Sequence, residues 1–464
     1  MTRKAPTAAM AILGVACLAP IAWTSQDAKQ DAQEVEHQDA AAPATQAERL
    51  IEAFRAQWAK VQESGNASYE TWVQTQEQVL GEVDFDTLTQ QDIAALLAGG
   101  LLESPSLRQK AQERLEAMRS QVDSSSQAGL SLAIIDAQLR GMPTRTSRPD
   151  PQLQAELFKA VFEHPALREG IRTGHAAGLG RMLASMPTAA SKDAVVRIGS
   201  MLAEAPPSMA EDVILFWQGL ERVDGLDKQA RESIRRGLVQ NLRQALAATD
   251  EQGQSVLGDE ARWVREALAR MDGAAARGEL IGHPMPEMTI TWSSDPSIRS
   301  FDDLKGKVVV LDFWATWCGP CIASFPKVQE LKDHYAGKPV AIVGVTSLQG
   351  MVYGVPGEDG PVVTEDDPQK EYELMPAVME RHKVTWPVVF TEQDVFNPDF
   401  GVNGIPHVAI VDAQGIVRFN GLHPAEPLAN KTEKIDALLR EMGAQPPATQ
   451  QEADDKDGKA NPNG

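Results

Sequence analysis

The chain is expected to fold as two domains of different class, an all-α region over residues 47–278 followed by an α/β region over residues 279–445. Three observations predict this. Through the first region apolar residues recur at helical spacing, opening with Leu50, Ile51, Phe54, Trp58 and Val61 and clearest at Ile234, Leu238, Leu242 and Leu246, while almost nothing reads as strand. In the second, residues 308–313 (VVVLDF) make a short, β-branched run, apolar apart from Asp312, as in a parallel strand buried on both faces. That strand leads into Trp317-Cys318-Gly319-Pro320-Cys321, after which helical spacing resumes.

At 464 residues there is ample chain for two cores, and a net charge of −21 argues against a nucleic-acid partner, which needs a basic face to neutralise phosphates. Arg3 and Lys4 precede an almost uncharged stretch over 5–23, so residues 1–25 are expected to be a signal peptide or, since Pro20-Ile21-Ala22-Trp23 offers no small-x-small ending, a retained membrane anchor. Cys17 sits in a weak lipidation context and is expected to be discarded with the signal. Residues 26–46, rich in Asp, Gln, Glu and Ala, read as a flexible acidic linker, and 446–464 as a disordered tail. The expected location is therefore outside the cytoplasm, in the cell envelope or periplasm.

The helical region should contain roughly ten short helices, arranged as stacked, solenoid-like pairs or as an irregular bundle. Breaks fall at Gly65-Asn66, Ser104-Pro105, 124–127, 143–151, Pro187 and Pro206-Pro207. The only repeat is Glu-x-Pro-x-Leu-Arg at 103–108 and 163–168, too short to define a repeat family. Gly174-His175-Ala176-Ala177-Gly178-Leu179-Gly180 lacks both the spacing and the preceding strand of a nucleotide site, and close helix packing accounts for it.

In the second region the helix should begin at Cys318. A thiol at a helix N-terminus faces unpaired N–H groups and the positive end of the dipole, which favour thiolate, so Cys318 is the expected nucleophile. Pro320 suits a first helical turn, and Cys321, one turn on, is placed to resolve a mixed disulfide. Pro326 should kink the helix. Burial should raise the pKa of Asp312 and make it a proton acceptor for Cys321. A zinc reading of the cysteine pair needs a second pair of ligands that the neighbouring sequence lacks. Neither metal nor cofactor is expected beyond the redox-active cysteines.

Residues 289–292 should form a short strand in an entry hairpin, 340–346 the second central strand, 368–383 a helix, 388–391, 407–411 and 416–419 strands, and 432–442 a closing helix. Between them, residues 347–368 carry Gly350, Gly354, Pro356, Gly357, Gly360 and Pro361 with Glu358, Asp359, Glu365, Asp366 and Asp367. That segment is either a solvated acidic loop or a lip beside the cysteines that meets a partner. Trp386-Pro387 should be core, and His407 should lie exposed at the rim.

DFWATWCGPC resembles the thioredoxin active site. With Ile281-Gly282-His283-Pro284-Met285-Pro286, Leu304-Lys305-Gly306-Lys307, Trp386-Pro387-Val388-Val389 and Phe400-Gly401-Val402-Asn403-Gly404-Ile405-Pro406, the stretch 282–443 is similar to the TlpA/ResA-like thiol-disulfide oxidoreductases. Asp312 is the more thioredoxin-like feature, since many TlpA-like proteins carry an uncharged residue there. The resemblance implies a thioredoxin-like fold with Pro406 cis and facing the sulfurs, and substrate contacts at Trp317, Gly319, Pro320, Ile405 and Pro406. It further implies a reductase of protein disulfides, fed by an upstream membrane or envelope thiol donor. A thiol peroxidase on the same fold would need P-x-x-x-T-x-x-C, whereas Thr316 is one place too close to Cys318 and the Pro is missing. A helical scaffold with an inert redox docking module is the non-enzymatic rival.

Overall fold

The computed structural model describes residues 45–447 apart from 145–147, 186 and 366. The expected signal or anchor, the linker up to residue 44 and the tail from 448 lie outside the described residues, as does Asp366. Among the described residues no helix is long and apolar enough to cross a membrane. The chain divides into two compact units, the first ending at Ala248 and the second starting at Thr249.

The first unit is all helical, with α1 (Gln46–Glu63), α2 (Tyr69–Leu80), α3 (Gln90–Ala98), α4 (Pro105–Arg119), α5 (Gln127–Gly141), α6 (Pro151–Phe162), α7 (Leu167–Arg172), α8 (Leu179–Ser185), α9 (Lys192–Leu202), α10 (Ala210–Leu220) and α11 (Lys228–Ala247). Local sequence sets the starts. Thr45, Ser68 and Thr89 close capping boxes on α1, α2 and α3, and Pro105 and Pro151 open α4 and α6, where a missing N–H costs nothing. Contacts run mainly between helices one to three places apart, α1 with α2 and α3, α5 with α6, α7 and α8, α10 with α8 and α11. Trp72 packs edge-on against Phe54 and Trp58, with centroids 4.6 and 4.9 Å apart. The tightest approach is α8 on α10. A Cβ on Gly180 would lie 2.0 Å from the Asp212 carbonyl oxygen, so the glycine cluster serves helix packing.

The second unit contains α12 (Glu260–Asp272), α13 (Ala274–Arg277) and a six-stranded sheet. Its strands are β1 (Ile290–Ser293), β2 (Val308–Phe313), β3 (Val340–Thr346), β6 (Val388–Thr391), β7 (His407–Val411) and β8 (Val417–Leu422), in the order β1-β6-β3-β2-β7-β8. β2, β3 and β6 are parallel; β1, β7 and β8 run antiparallel to their neighbours. A separate hairpin pairs β4 (Met351–Val352) with β5 (Val362–Val363). Three helices, α14 (Gly319–His334), α15 (Pro368–His382) and α16 (Leu428–Glu441), contribute Phe325, Val328, Met375, Val378, Ile435 and Leu438 to one core with Val308 and Val310 of β2. Val309, Leu311 and Phe313 point the other way, into a core closed by Leu280, Met288, Phe400 and Val402. The strict alternation of β2 between these cores is what two buried faces require.

The two units divide at 248/249, ahead of the expected boundary at 278/279, and within the second the Ala274 N–H donates to the Asp399 carboxylate (2.9 Å) and the Ala275 N–H to the Asp399 carbonyl (3.0 Å). Two expectations need correction. β1 is not half of an entry hairpin. It pairs antiparallel with β6 at one edge of the sheet, whereas the entry segment pairs at the other end through Gly282 N to Val417 O (2.8 Å) and Val417 N to His283 O (3.0 Å). The closing helix begins at Leu428, not 432; its N-cap position is Pro427, with no side-chain cap to announce it.

Candidate functional site

β2 ends at Phe313 and the chain turns through Trp314 to Trp317 before α14 starts at Gly319 with Cys318 as its N-cap. Gly344 on β3, opposite Asp312, makes this turn compact: a Cβ there would meet Trp314 Nε1 at 2.8 Å. Cys318 and Cys321 form a disulfide with Cα atoms 5.3 Å apart. The Cys321 N–H points at Cys318 Sγ (3.2 Å), so one unpaired donor of the helix start is aimed at the sulfur expected to carry the negative charge in the reduced state. Pro320 fills the first turn, and a Cβ on the exposed Gly319 would meet no heavy atom within 4 Å, so the surface beside the first cysteine is uncrowded there. Pro326 lies inside α14 as expected.

Asp312 follows Val308 and Val310 in the alternation of β2, so its carboxyl lies on the same face as the cysteines, which belong to that core. It is 2% exposed, and among the described residues neither carboxylate oxygen has a hydrogen-bond partner. Burial pushes its pKa up to about 7, with Lys431 pulling in the opposite direction.

The Ile405–Pro406 peptide is cis. Pro406 precedes β7, whose His407 pairs with Phe313, so the loop stands at the end of the sheet where β2 delivers the cysteine motif. Ile405 packs against the core that contains both cysteines. His407 is not at an exposed rim: it is buried edge-on against Phe313, with Nε2 2.8 Å from Asn420 Oδ1, and burial lowers its pKa. Trp386 is core, edge-on to Phe325 at 5.4 Å.

Trp317 is 40% exposed beside the disulfide. Its Nε1–H donates to Gln349 Oε1 (2.8 Å) and its ring stacks on Phe396 at 6.2 Å. The segment after β3 is thereby tied to the motif, and the Tyr353 N–H adds a bond to Thr316 Oγ1 (3.1 Å). Glu371 of α15, 2% exposed, holds that segment from beneath. It accepts from the Gln349 and Gly350 N–H groups (2.9 and 3.1 Å) and from Thr364 Oγ1 (3.1 Å). The start of the 347–368 segment therefore stands beside the cysteine motif. Sequence reasoning missed Gln349, Glu371, Phe396 and Lys431.

Residues 280–439 match the redoxin family. The chain is 28% identical over 138 residues to the thioredoxin-like protein YneN of Bacillus subtilis, covering 30% of this chain and 68% of that one. It is 44% identical over 73 residues to the thiol-disulfide oxidoreductase ResA of Oceanobacillus iheyensis, covering 15% of this chain and 38% of the relative. Among solved structures, the thioredoxin domain of a thiol-disulfide oxidoreductase from Bacteroides vulgatus aligns with 24% identity and a TM-score of 0.25, over 33% of this chain and 96% of that one.

Proposed function

We infer that this chain, whose residues 280–439 form a redoxin domain with a thioredoxin-like fold and the Cys318–Cys321 disulfide, is an exported reductase of protein disulfides. The observation that carries the reading is the placement of that disulfide at the start of α14, on the same face of β2 as a buried carboxyl whose pKa lies near neutrality.

In the reduced protein the Cys318 thiolate attacks one sulfur of a substrate disulfide. A Cys318–substrate disulfide forms and the second substrate sulfur leaves as thiolate. Cys321 then gives its proton to Asp312 and attacks Cys318 Sγ, which re-forms the Cys318–Cys321 bond and expels the remaining substrate sulfur. Two electrons have passed to substrate, and a dithiol donor must return them. Trp317, Gly319, Pro320, Ile405 and Pro406 border the path of approach. A protein partner suits the exposed Trp317, whose neighbours on the lip include exposed Leu348 and Tyr353. Export, reduction as the direction of flow, and the envelope donor rest on the sequence features at the N-terminus and on the Gly-Pro pair between the cysteines.

Insulin reduction with dithiothreitol as donor tests the activity: turnover is expected, and an inert cysteine pair leaves a docking module instead. Cys321→Ser should trap mixed disulfides with protein targets and Cys318→Ser far fewer; equal trapping rejects the assignment of nucleophile.

A further inference from the structure

We propose that Lys431 is a positioning residue for this reaction: a buried ammonium, clamped by main-chain carbonyls in the turn before α16, which sets the charge state of Asp312 through space. The proposal rests on the reading of Asp312 as proton acceptor.

A lysine is rarely fully buried without a partner, yet Lys431 is 2% exposed. It lies in the first turn of α16, one turn before Ile435 and two before Leu438, and those residues pack in the core that holds Val308, Val310, Cys318 and Cys321. Its side chain therefore extends the helix face laid against the Asp312 side of β2. Tyr335, the C-cap of α14, fastens α16 in place: its hydroxyl lies 2.8 Å from Asp436 Oδ1 and 3.2 Å from Thr432 O, both acceptors.

An ammonium has three donors. Lys431 Nζ reaches the carbonyls of His423 (3.4 Å), Pro424 (3.0 Å) and Glu426 (2.8 Å), in the turn between β8 and α16. Its donors are thus engaged by these carbonyls, and among the described residues both Asp312 oxygens are unpartnered. What reaches the carboxylate is the field of the charge, strong where little water screens it. A directly bonded carboxylate would be held ionised and would make a poor proton acceptor, whereas desolvation alone carries buried carboxyls to about 8–9. The ammonium opposes that rise without occupying an oxygen.

The other charges nearby do not supply this field. The cross-strand neighbours of Asp312, Gly344 and Val408, are uncharged. On α14, Lys327 and Glu330 pair with each other at the surface (2.7 Å), and the Glu426 carboxylate accepts from the His423 N–H (3.2 Å). His407 of β7 is buried with its pKa lowered, which favours the neutral ring. The thiols of Cys318 and Cys321 complete the set in the reduced state.

The test follows the Asp312 carboxyl by carbon-13 chemical shift in the reduced full-length protein, with Asp312→Asn as blank, alongside the pH dependence of the step that releases substrate. Lys431→Met should raise the Asp312 midpoint by at least about one unit, which at pH 7 lowers the ionised fraction from about half to about a tenth and slows release about fivefold, with recovery near pH 9. Lys431→Arg, which keeps the charge, should keep the midpoint. In an Asp312→Asn background Lys431→Met should cost no further rate. A purely structural lysine would lower stability and leave the midpoint in place; that result, or additive rate losses, overturns the proposal. Should Lys431→Met not fold, coupling is read from the other side. Asp312→Asn must then lower the pKa of the Lys431 ammonium, since coupling is reciprocal, and an unmoved ammonium overturns the proposal. Failure of the acceptor reading looks different: Asp312→Asn leaves the pH–rate profile unchanged while the carboxyl midpoint still responds to Lys431.

Discussion

Asp312 works against the stability of the fold it sits in. Its pKa near 7 in the folded chain compares with about 3.9 for an aspartate in an unfolded one. Between these values the folded protein holds a proton that the unfolded protein has released. Raising the pH through that window therefore removes stability, at about 1.4 kcal/mol per unit once clear of the lower pKa, or roughly 4 kcal/mol in all. Asp312→Asn should flatten the dependence between pH 4 and 7 and make the second unit more stable at pH 7.5 while slowing turnover. Denaturant unfolding of both proteins across that range checks it, and parallel curves would show that Asp312 is not the group responsible. The cysteines and Asp312 were legible in the sequence because their chemistry is local: a thiol pair one helical turn apart, and a carboxylate that interrupts an apolar strand. Lys431 and Glu371 were not. Each is a charged residue in a helical first turn, and nothing in the neighbouring sequence distinguishes a buried one from the many solvated ones. His407 was misplaced for a related reason, since its partner Asn420 comes from the next strand and only pairing brings them together.

Among the elements, central strands were read to the residue because period and composition agree, whereas the edge strand β1 was assigned a partner by proximity in sequence and found it instead in β6. Residues 347–368 were the least legible. Their glycines and prolines exclude a helix but do not reveal the short β4–β5 hairpin, nor the bonds to Thr316, Trp317 and Glu371 that fix it. Glu371 is the anchor. Glu371→Ala leaves the Gln349 and Gly350 N–H groups without their acceptor and should cost about 1–3 kcal/mol. It should also accelerate amide exchange at Gln349, Gly350 and Thr364 and loosen Trp317, while the disulfide and α14 stay formed. Hydrogen exchange at those amides decides the point. Protection equal to that of the parent protein would mean that Glu371 does not hold the lip.

For the whole molecule, the two fold classes were legible because helical period and strand period differ, but the line between them was not, because Met271 to Arg277 continues a helical pattern that the preceding helices share. In the structure, residues 273–278 belong with the sheet. Gly273 lies so close to the Pro398 carbonyl that a Cβ would stand 2.2 Å from it, Ala274 and Ala275 bond to Asp399, and Ala275 packs against the core that includes Phe400 and Val402. Phe400 in turn contacts Phe313, at the end of the strand that carries Asp312, and Phe396 of the same segment stacks on Trp317. A cut at 279 therefore removes residues that brace the 396–400 segment bordering the site, and a cut at 249 keeps them. Residues 249–447 expressed alone should fold, with activity on dithiobis-nitrobenzoate close to that of the full chain. Residues 279–445 should fold less stably, by roughly 1–3 kcal/mol for two lost hydrogen bonds and one uncovered edge of core, with greater mobility over 396–401. If stacked helices serve to hold protein targets, both fragments should lose more activity on captured envelope proteins than on the small disulfide. Thermal unfolding and the two assays on the three proteins separate these effects: equal midpoints for the fragments would return the boundary to 279, and equal losses on both substrates would make the helical unit part of the catalytic one.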